Sequence, residues 1–138
     1  MQMALPNGRH GVVGVLVEND RFLVIRRSRW VRAPRLLCFP GGGIEMGEDF
    51  ETAIRRELLE ELELEVHVER HLWSSRTSWG TDLEWMLVKR EPTATVKPNQ
   101  SEVEEVMWLT QLELIAKPDL LGSVPEFFAA LEAKKFAI

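Results

Sequence analysis

Apolar residues recur along this chain in two rhythms: short continuous or alternating runs that suit strands, and longer stretches with helical spacing. Residues 11–17 (Gly-Val-Val-Gly-Val-Leu-Val) are too few for a helix and rich in β-branched side chains, which predicts a buried strand. Residues 18–21 read as a turn and residues 22–27 as the second strand of a hairpin. After a loop over residues 28–35, a short strand at residues 36–39 is ended by Pro40 and the glycines Gly41, Gly42 and Gly43. The clearest helical period runs over residues 49–63. Val66–Arg76 and residues 83–90 read as a strand pair around a turn at residues 77–81. A polar loop at residues 92–99 leads to a strand at Val103–Leu109. A closing helix is predicted where Ser123 and Glu126 form a capping box, Pro125 suits the first turn, and Phe127, Phe128 and Leu131 make an apolar stripe. With no internal repeat and no break in composition, the expectation is one α/β domain over residues 1–138.

Composition narrows the class. A chain of 138 residues with 45 % hydrophobic and 28 % charged residues is ordinary for a globular protein, which excludes disordered and low-complexity classes. Cys38 stands alone, so no intrachain disulfide can form and a reducing compartment is the default. Residues 1–8 show no signal-peptide pattern, and no apolar run reaches the ~18 residues of a membrane-spanning helix, so a cytoplasmic location and no membrane partner are expected. A net charge of −5 argues against long nucleic acid as a partner. The charge is uneven, however. Arg26, Arg27, Arg29, Arg32 and Arg35 precede an acidic stretch with Glu45, Glu48, Asp49, Glu51, Glu57, Glu60, Glu61, Glu63 and Glu65. A basic segment beside an acidic one suits an anionic ligand held partly through metal ions.

On a helical wheel, Phe50, Ile54, Leu58 and Leu62 make the core stripe of the helix over residues 49–63. Glu57 and Glu61 fall beside or within that stripe, and Glu60 on its flank. Like charges at this spacing cost a helix about 0.2–0.5 kcal/mol per pair, and partial burial costs more. Such a cluster calls for a counter-charge, and hard oxygen ligands suit Mg²⁺ or Mn²⁺. Taken alone, the acids fit equally a solvated face in which Arg55 and Arg56 pair with Glu51 or Glu60.

The glycines before the helix change that balance. Gly42, five residues, Glu48, seven residues, then Arg56-Glu57-Leu58-Leu59-Glu60-Glu61-Leu62-Glu63-Leu64 resembles the Nudix box, G-x5-E-x7-R-E-U-x-E-E-x-G-U with U aliphatic. Eight of the nine specified positions match, and the resemblance extends through Phe39-Pro40-Gly41 and Ile44-Glu45-Met46-Gly47. From average residue usage, chance would produce such a match in roughly one chain in a million. One position departs: Glu63 stands where the family has glycine. A left-handed cap costs a non-glycine residue about 1 kcal/mol, so either Glu63 accepts that conformation or the helix runs on slightly.

The resemblance implies a Nudix-type α/β/α sandwich, with a mixed β-sheet between helices, and hydrolysis of a diphosphate linkage in a nucleoside diphosphate derivative with Mg²⁺ or Mn²⁺ as cofactor. It implies Glu57, Glu60 and Glu61 as metal ligands, joined by the backbone carbonyl of Gly41. Arg56 would orient the carboxylates through Glu48, while Glu45 is open between a role in the site and a solvated loop. A further acid, as metal ligand or general base, is expected on a distant loop. Glu102 is the candidate, six residues before Trp108, with Glu104 and Glu105 as rivals. Strand alternation would put Glu102 and Glu104 on one face and Glu105 on the other. Glu57 and Glu102 both stay open as the base.

Substrate signals are weaker. Arg27 ends the second strand near the expected site and is a candidate phosphate contact, and Trp79 in the hairpin turn is a candidate base-stacking residue. Against these stand a solvated loop and a tryptophan packed in a core. Trp73, Trp85 and Trp108 read as core residues, His67 and His71 as surface histidines sharing a strand face, and Cys38 as a small buried hydrophobe. The chain has no tyrosine, a residue that the family's dinucleoside polyphosphate hydrolases carry beyond the box. Residues 78–80 lack the proline that marks many ADP-ribose hydrolases. The short chain and the Ile44-Glu-Met-Gly-Glu48 run look MutT-like, and that resemblance implies as leading substrate class a nucleoside triphosphate, converted to monophosphate and pyrophosphate. The alternatives are an ADP-ribose or nucleotide-sugar pyrophosphatase and a non-catalytic nucleotide sensor. The family also allows a homodimer, which no apolar surface stripe here demands.

Overall fold

Backbone twist decides how the first hairpin closes. Strands β1 (His10–Val15) and β2 (Val17–Glu18) are followed by Asn19 and Asp20, whose φ values of 51° and 63° make the two-residue turn that suits a right-twisted hairpin. The chain returns as β3 (Arg21–Arg27), then forms β4 (Leu37–Cys38) and β5 (Gly41–Gly43). Helix α1 (Phe50–Leu62) follows, then the long strands β6 (Val66–Arg76) and β7 (Asp82–Arg90), β8 (Val103–Leu109), α2 (Gln111–Ile115) and α3 (Ser123–Glu132). This computed structural model describes residues 9–138, so the expectation for residues 1–8 lies outside it.

The strands form two four-stranded sheets. One is mixed, in the order β5-β1-β7-β6, with β1 parallel to β7 and the other pairs antiparallel. The other is antiparallel: β3 pairs along its length with β8, while its opposite edge meets β2 at one end and β4 at the other. In the mixed sheet Gly14 and Met86 are register partners, as are Val13 and Trp85, so adjacent pairs face opposite sides. Ile54 and Leu58 of α1 lie over Gly14 on one side. On the other, Trp85 stacks on Phe127 of α3 with centroids 4.8 Å apart. The mixed sheet therefore lies between helices, in an α/β architecture. No helix among the described residues is long and apolar enough to cross a membrane.

Helix α1 starts where Asp49 accepts a 2.7 Å hydrogen bond from Thr52 N. It ends at Glu63, which adopts the left-handed conformation (φ 49°, ψ 33°), so the helix does not run on. One expectation fails at the other helices. Ser123 lies inside α3, whose N-cap Gly122 makes no side-chain cap bond, so the Ser123–Glu126 capping box does not form. A capping box exists instead at Thr110 and Glu113, which starts the unpredicted α2. In β6 the register shifts between Val68 and Arg70, so His67 pairs with Lys89 and His71 with Met86. That odd offset puts the two histidines on opposite faces rather than one. His71 turns toward Glu84, which also bonds the buried His10, and His67 turns toward Glu91.

Candidate active site

The site begins with a close approach of backbone to helix. Gly41 and Gly42 of β5 pair with Val13 and Val12 of β1, and α1 packs against the same strand. A Cβ at Gly41 would stand 2.1 Å from Val12 O, and one at Gly42 would stand 2.4 Å from the Glu57 carboxylate. Only glycine leaves room for the strand pairing at the first position and for an acidic side chain at the second.

The acidic edge of α1 faces this strand in graded depth. Glu61 is 6 % exposed and accepts a 2.9 Å bond from Gly41 N. The Glu57 side chain is 12 % exposed and that of Glu60 50 %. Arg56 holds the outer groups together. Its guanidinium donates to Glu48 from Nε (2.7 Å) and Nη2 (2.9 Å), to Glu57 Oε1 from Nη1 (2.9 Å), and to the Gly43 carbonyl from Nη2 (2.9 Å). Glu60 lies 3.3 Å from the same guanidinium and Glu45, largely exposed, 3.8 Å. Arg56 thus pairs with Glu48 and bonds Glu57, while Glu45 stays at the rim.

Past the loop at residues 92–99, the chain turns back onto the end of α1. Lys97 N donates to Leu62 O (2.7 Å), Asn99 N to Glu61 O (2.8 Å) and Asn99 Nδ2 to Glu60 O (3.3 Å). Glu102 sits in the turn just before β8, near enough to Glu57 and Glu61 for its charge to act on both. Its rivals are engaged elsewhere: Glu104 pairs with Arg35 at 3.1 Å and Glu105 with Arg26 at 3.3 Å. The register shift opposite Arg26 and Arg27 interrupts the simple alternation expected along β8.

Electrostatics follow from this crowding. Burial, then the charge of Glu57, pushes Glu61 up to about 8, against the Gly41 N–H that favours its ionised form. Burial also raises Glu57, against the pull of Arg56. Glu48, bonded by Arg56, is held below its ordinary value. Among the described residues no three metal-ligating side chains converge into a cage, because Glu61 is turned onto Gly41 and Glu57 onto Arg56. The donor set nevertheless fits a hard divalent cation. It is all oxygen, it includes more carboxylates than the local arginine neutralises, and glycine backbone lies against it. A cation would offset both the burial of the Glu61 charge and its repulsion by Glu57.

Beside this edge opens a cleft of about 600 Å³. Its wall includes Gly41 to Gly43, Arg27, Arg32 and Arg9, and its floor Leu83 and the buried Trp85. Arg27 is braced by its Nε bond to Arg32 O (2.7 Å) and acts electrostatically on Glu61. Trp79, 42 % exposed, lies at the same cleft, and Arg9 Nη2 donates to its carbonyl at 2.7 Å. The structure therefore puts Arg27 and Trp79 at one cleft, whose wall includes the glycines that meet the acids of α1. Arg9 was not foreseen, and no sequence signal distinguishes it. Cys38 also lines the cleft and is buried, with its thiol pushed up to about 11 by desolvation. A separate, largely apolar hollow of about 550 Å³ near Leu87, Leu112 and Ile138 shares no residue with this site.

Comparison with known proteins meets this geometry from outside. The family model described as the NUDIX domain matches residues 8–131. A human protein, m7GpppN-mRNA hydrolase NUDT17, is 33 % identical over 136 residues, covering 83 % of this chain and 39 % of its own. An uncharacterised Nudix hydrolase of Nostoc is 34 % identical over 100 residues, covering 64 % of this chain and 59 % of its own. The chain thus spans less than two thirds of these relatives' length. Among solved structures, a MutT protein from Methanosarcina mazei Go1 superposes with a TM-score of 0.74 at 19 % identity, over 91 % of this chain and 94 % of that one. The protein DR0079 from Deinococcus radiodurans gives 0.71 at 26 % identity, over 87 % and 80 %.

Proposed function

The chain belongs to the Nudix hydrolase family, and from that premise we propose that it is an Mg²⁺- or Mn²⁺-dependent hydrolase of the diphosphate linkage in nucleoside diphosphate derivatives. Nucleoside triphosphates are the leading substrates, cleaved by water to the monophosphate and pyrophosphate. The observation that carries this reading is the acidic edge of α1, where Glu61 bonds Gly41 N and Glu57 bonds Arg56, with Glu102 near enough for its charge to act on both, beside an arginine-lined cleft walled by the same glycines. A polyphosphate would be repelled by bare carboxylates, so the acids and the cleft serve one ligand only with cations between them.

Glu57, Glu60, Glu61 and Glu102, with the Gly41 carbonyl, are the groups that would hold the ion. When bound, it supplies positive charge to phosphoryl oxygens and lowers the pKa of water. Arg56 and Glu48 keep Glu57 in place. Arg27 binds phosphate and Trp79 stacks on the base. Glu57 or Glu102 takes the proton as water oxygen attacks phosphorus and the bridging P–O bond breaks, its electrons leaving with the departing phosphate.

A second reading places a further group beyond the diphosphate, as in ADP-ribose, a nucleotide sugar or a capped dinucleotide. The likeness to the human m7GpppN-mRNA hydrolase favours it. Product release from a panel of these compounds and nucleoside triphosphates, with Mg²⁺ or Mn²⁺, decides between the two. Turnover confined to triphosphates supports the first reading, and turnover confined to linked nucleotides the second. Tight nucleotide binding with no turnover would make the protein a sensor.

A further inference from the structure

We propose that Asn99 is a positioning residue that holds Glu102 against the acidic edge of α1. The last four carbonyls of a helix lack partners within it, and a helix end buried without them is unstable. Here Glu63 N takes the Leu59 carbonyl, and residues 97 and 99 take the remaining three. Asn99 alone closes two of these, Glu61 O through its backbone N–H and Glu60 O through Nδ2.

The same residue organises the turn that follows. Its Oδ1 accepts from Ser101 N (3.2 Å) and Ser101 Oγ (2.9 Å), and its carbonyl accepts from Glu102 N (2.9 Å) and Val103 N (2.8 Å). From the far side, Ser28 holds the turn: its N donates to Glu102 O (3.0 Å) and its Oγ to Ser101 O (2.8 Å). The backbone around Glu102 is therefore fixed relative to Glu60 and Glu61 by hydrogen bonds that meet at one residue, whose side chain ties the Glu60 carbonyl to Ser101. Groups that orient metal ligands without touching the metal commonly govern affinity by about ten- to a hundredfold. A short side chain with a donor on one arm and an acceptor on the other is what both ties require, and asparagine supplies it.

This inference rests on the reading of Glu57, Glu61 and Glu102 as cation ligands, so its test separates the two. Mn²⁺ binding to the nucleotide-free protein is measured by calorimetry for the wild type, Asn99→Ala, Glu102→Gln, the double variant and Glu61→Gln, with thermal melting as a check of fold. Asn99→Ala is expected to weaken Mn²⁺ binding about tenfold. The double variant is expected to bind no more weakly than Glu102→Gln alone, because Asn99 acts through Glu102. Losses that multiply in the double variant, or unchanged binding in Asn99→Ala, overturn the role of Asn99 while leaving the site intact. Unchanged binding in Glu61→Gln instead overturns the cation site, and unchanged binding in Glu102→Gln alone removes Glu102 and the inference with it. Should Asn99→Ala not fold, Asn99→Ser keeps an oxygen for the turn but no amide for Glu60. A folded Asn99→Ser with wild-type affinity overturns the proposal, and a severalfold loss supports it.

Discussion

A carboxylic acid sealed from water beside two others, as Glu61 is beside Glu57 and Glu102, keeps its proton to about 8 against an ordinary value of 4.5. Between those values the folded protein binds a proton that the unfolded chain has released, so this contribution to stability is complete in acid and lost as pH rises through the folded value. Glu57 acts in the same direction. Glu48 acts oppositely, its contribution present above its unfolded value and lost in acid as pH falls through its lowered one. The metal-free protein should therefore melt lower, by a few degrees, at about pH 8.5 than at about pH 5.5. Glu61→Gln should flatten this slope, and Mg²⁺ should raise the melting temperature most at the alkaline end. Calorimetric scans across pH check all three, and a wild-type slope identical to that of Glu61→Gln would contradict the assignment. The buried position of Glu61 was legible from its place on the helical wheel. Glu102 was legible only through the family resemblance, since nothing local distinguishes it from Glu104 and Glu105 until their arginine partners are seen.

At the scale of elements, adjacent glycines of β5 do different things. An alanine methyl at Gly41 meets the backbone of β1, whereas one at Gly42 meets the flexible end of Glu57. Gly41→Ala should therefore destabilise the fold by about 1–3 kcal/mol. Gly42→Ala should leave the melting temperature within a few degrees while lowering activity at least about tenfold, because it moves an acid rather than a strand. Equal losses of stability in the two variants would sink the distinction. The end of α1 offers a gain. Glu63 bears a left-handed conformation that glycine adopts freely, so Glu63→Gly should add up to about 1 kcal/mol to urea-unfolding stability without changing turnover. Periodicity made α1 legible because thirteen residues show several turns of one apolar face. Three glycines carry no such pattern, which hid β5, and five residues are too few, which hid α2 despite its Thr110–Glu113 box. Ser123 and Glu126 had the right spacing and still formed no box, because the helix begins one residue before the pattern requires and Ser123 is already inside it.

Across the whole molecule, the two sheets and the helices outside them serve to put opposite charges at one cleft. The chain carries a net charge of −5, yet Arg9, Arg27 and Arg32 gather on the wall facing the acids of α1. Arg27 is braced on the Arg32 carbonyl, and Glu57 and Glu48 are held by Arg56. In the proposed function, phosphates lie against the arginines and a divalent cation against the acids. The most direct test is analysis of the products of nucleoside triphosphate hydrolysis by wild type and Glu61→Gln while Mg²⁺ is titrated. Monophosphate and pyrophosphate are expected in equal amounts, formed only with the cation and at least about a hundredfold more slowly in the variant. Hydrolysis that persists without a divalent cation, or that Glu61→Gln leaves at the wild-type rate, would contradict the proposed function.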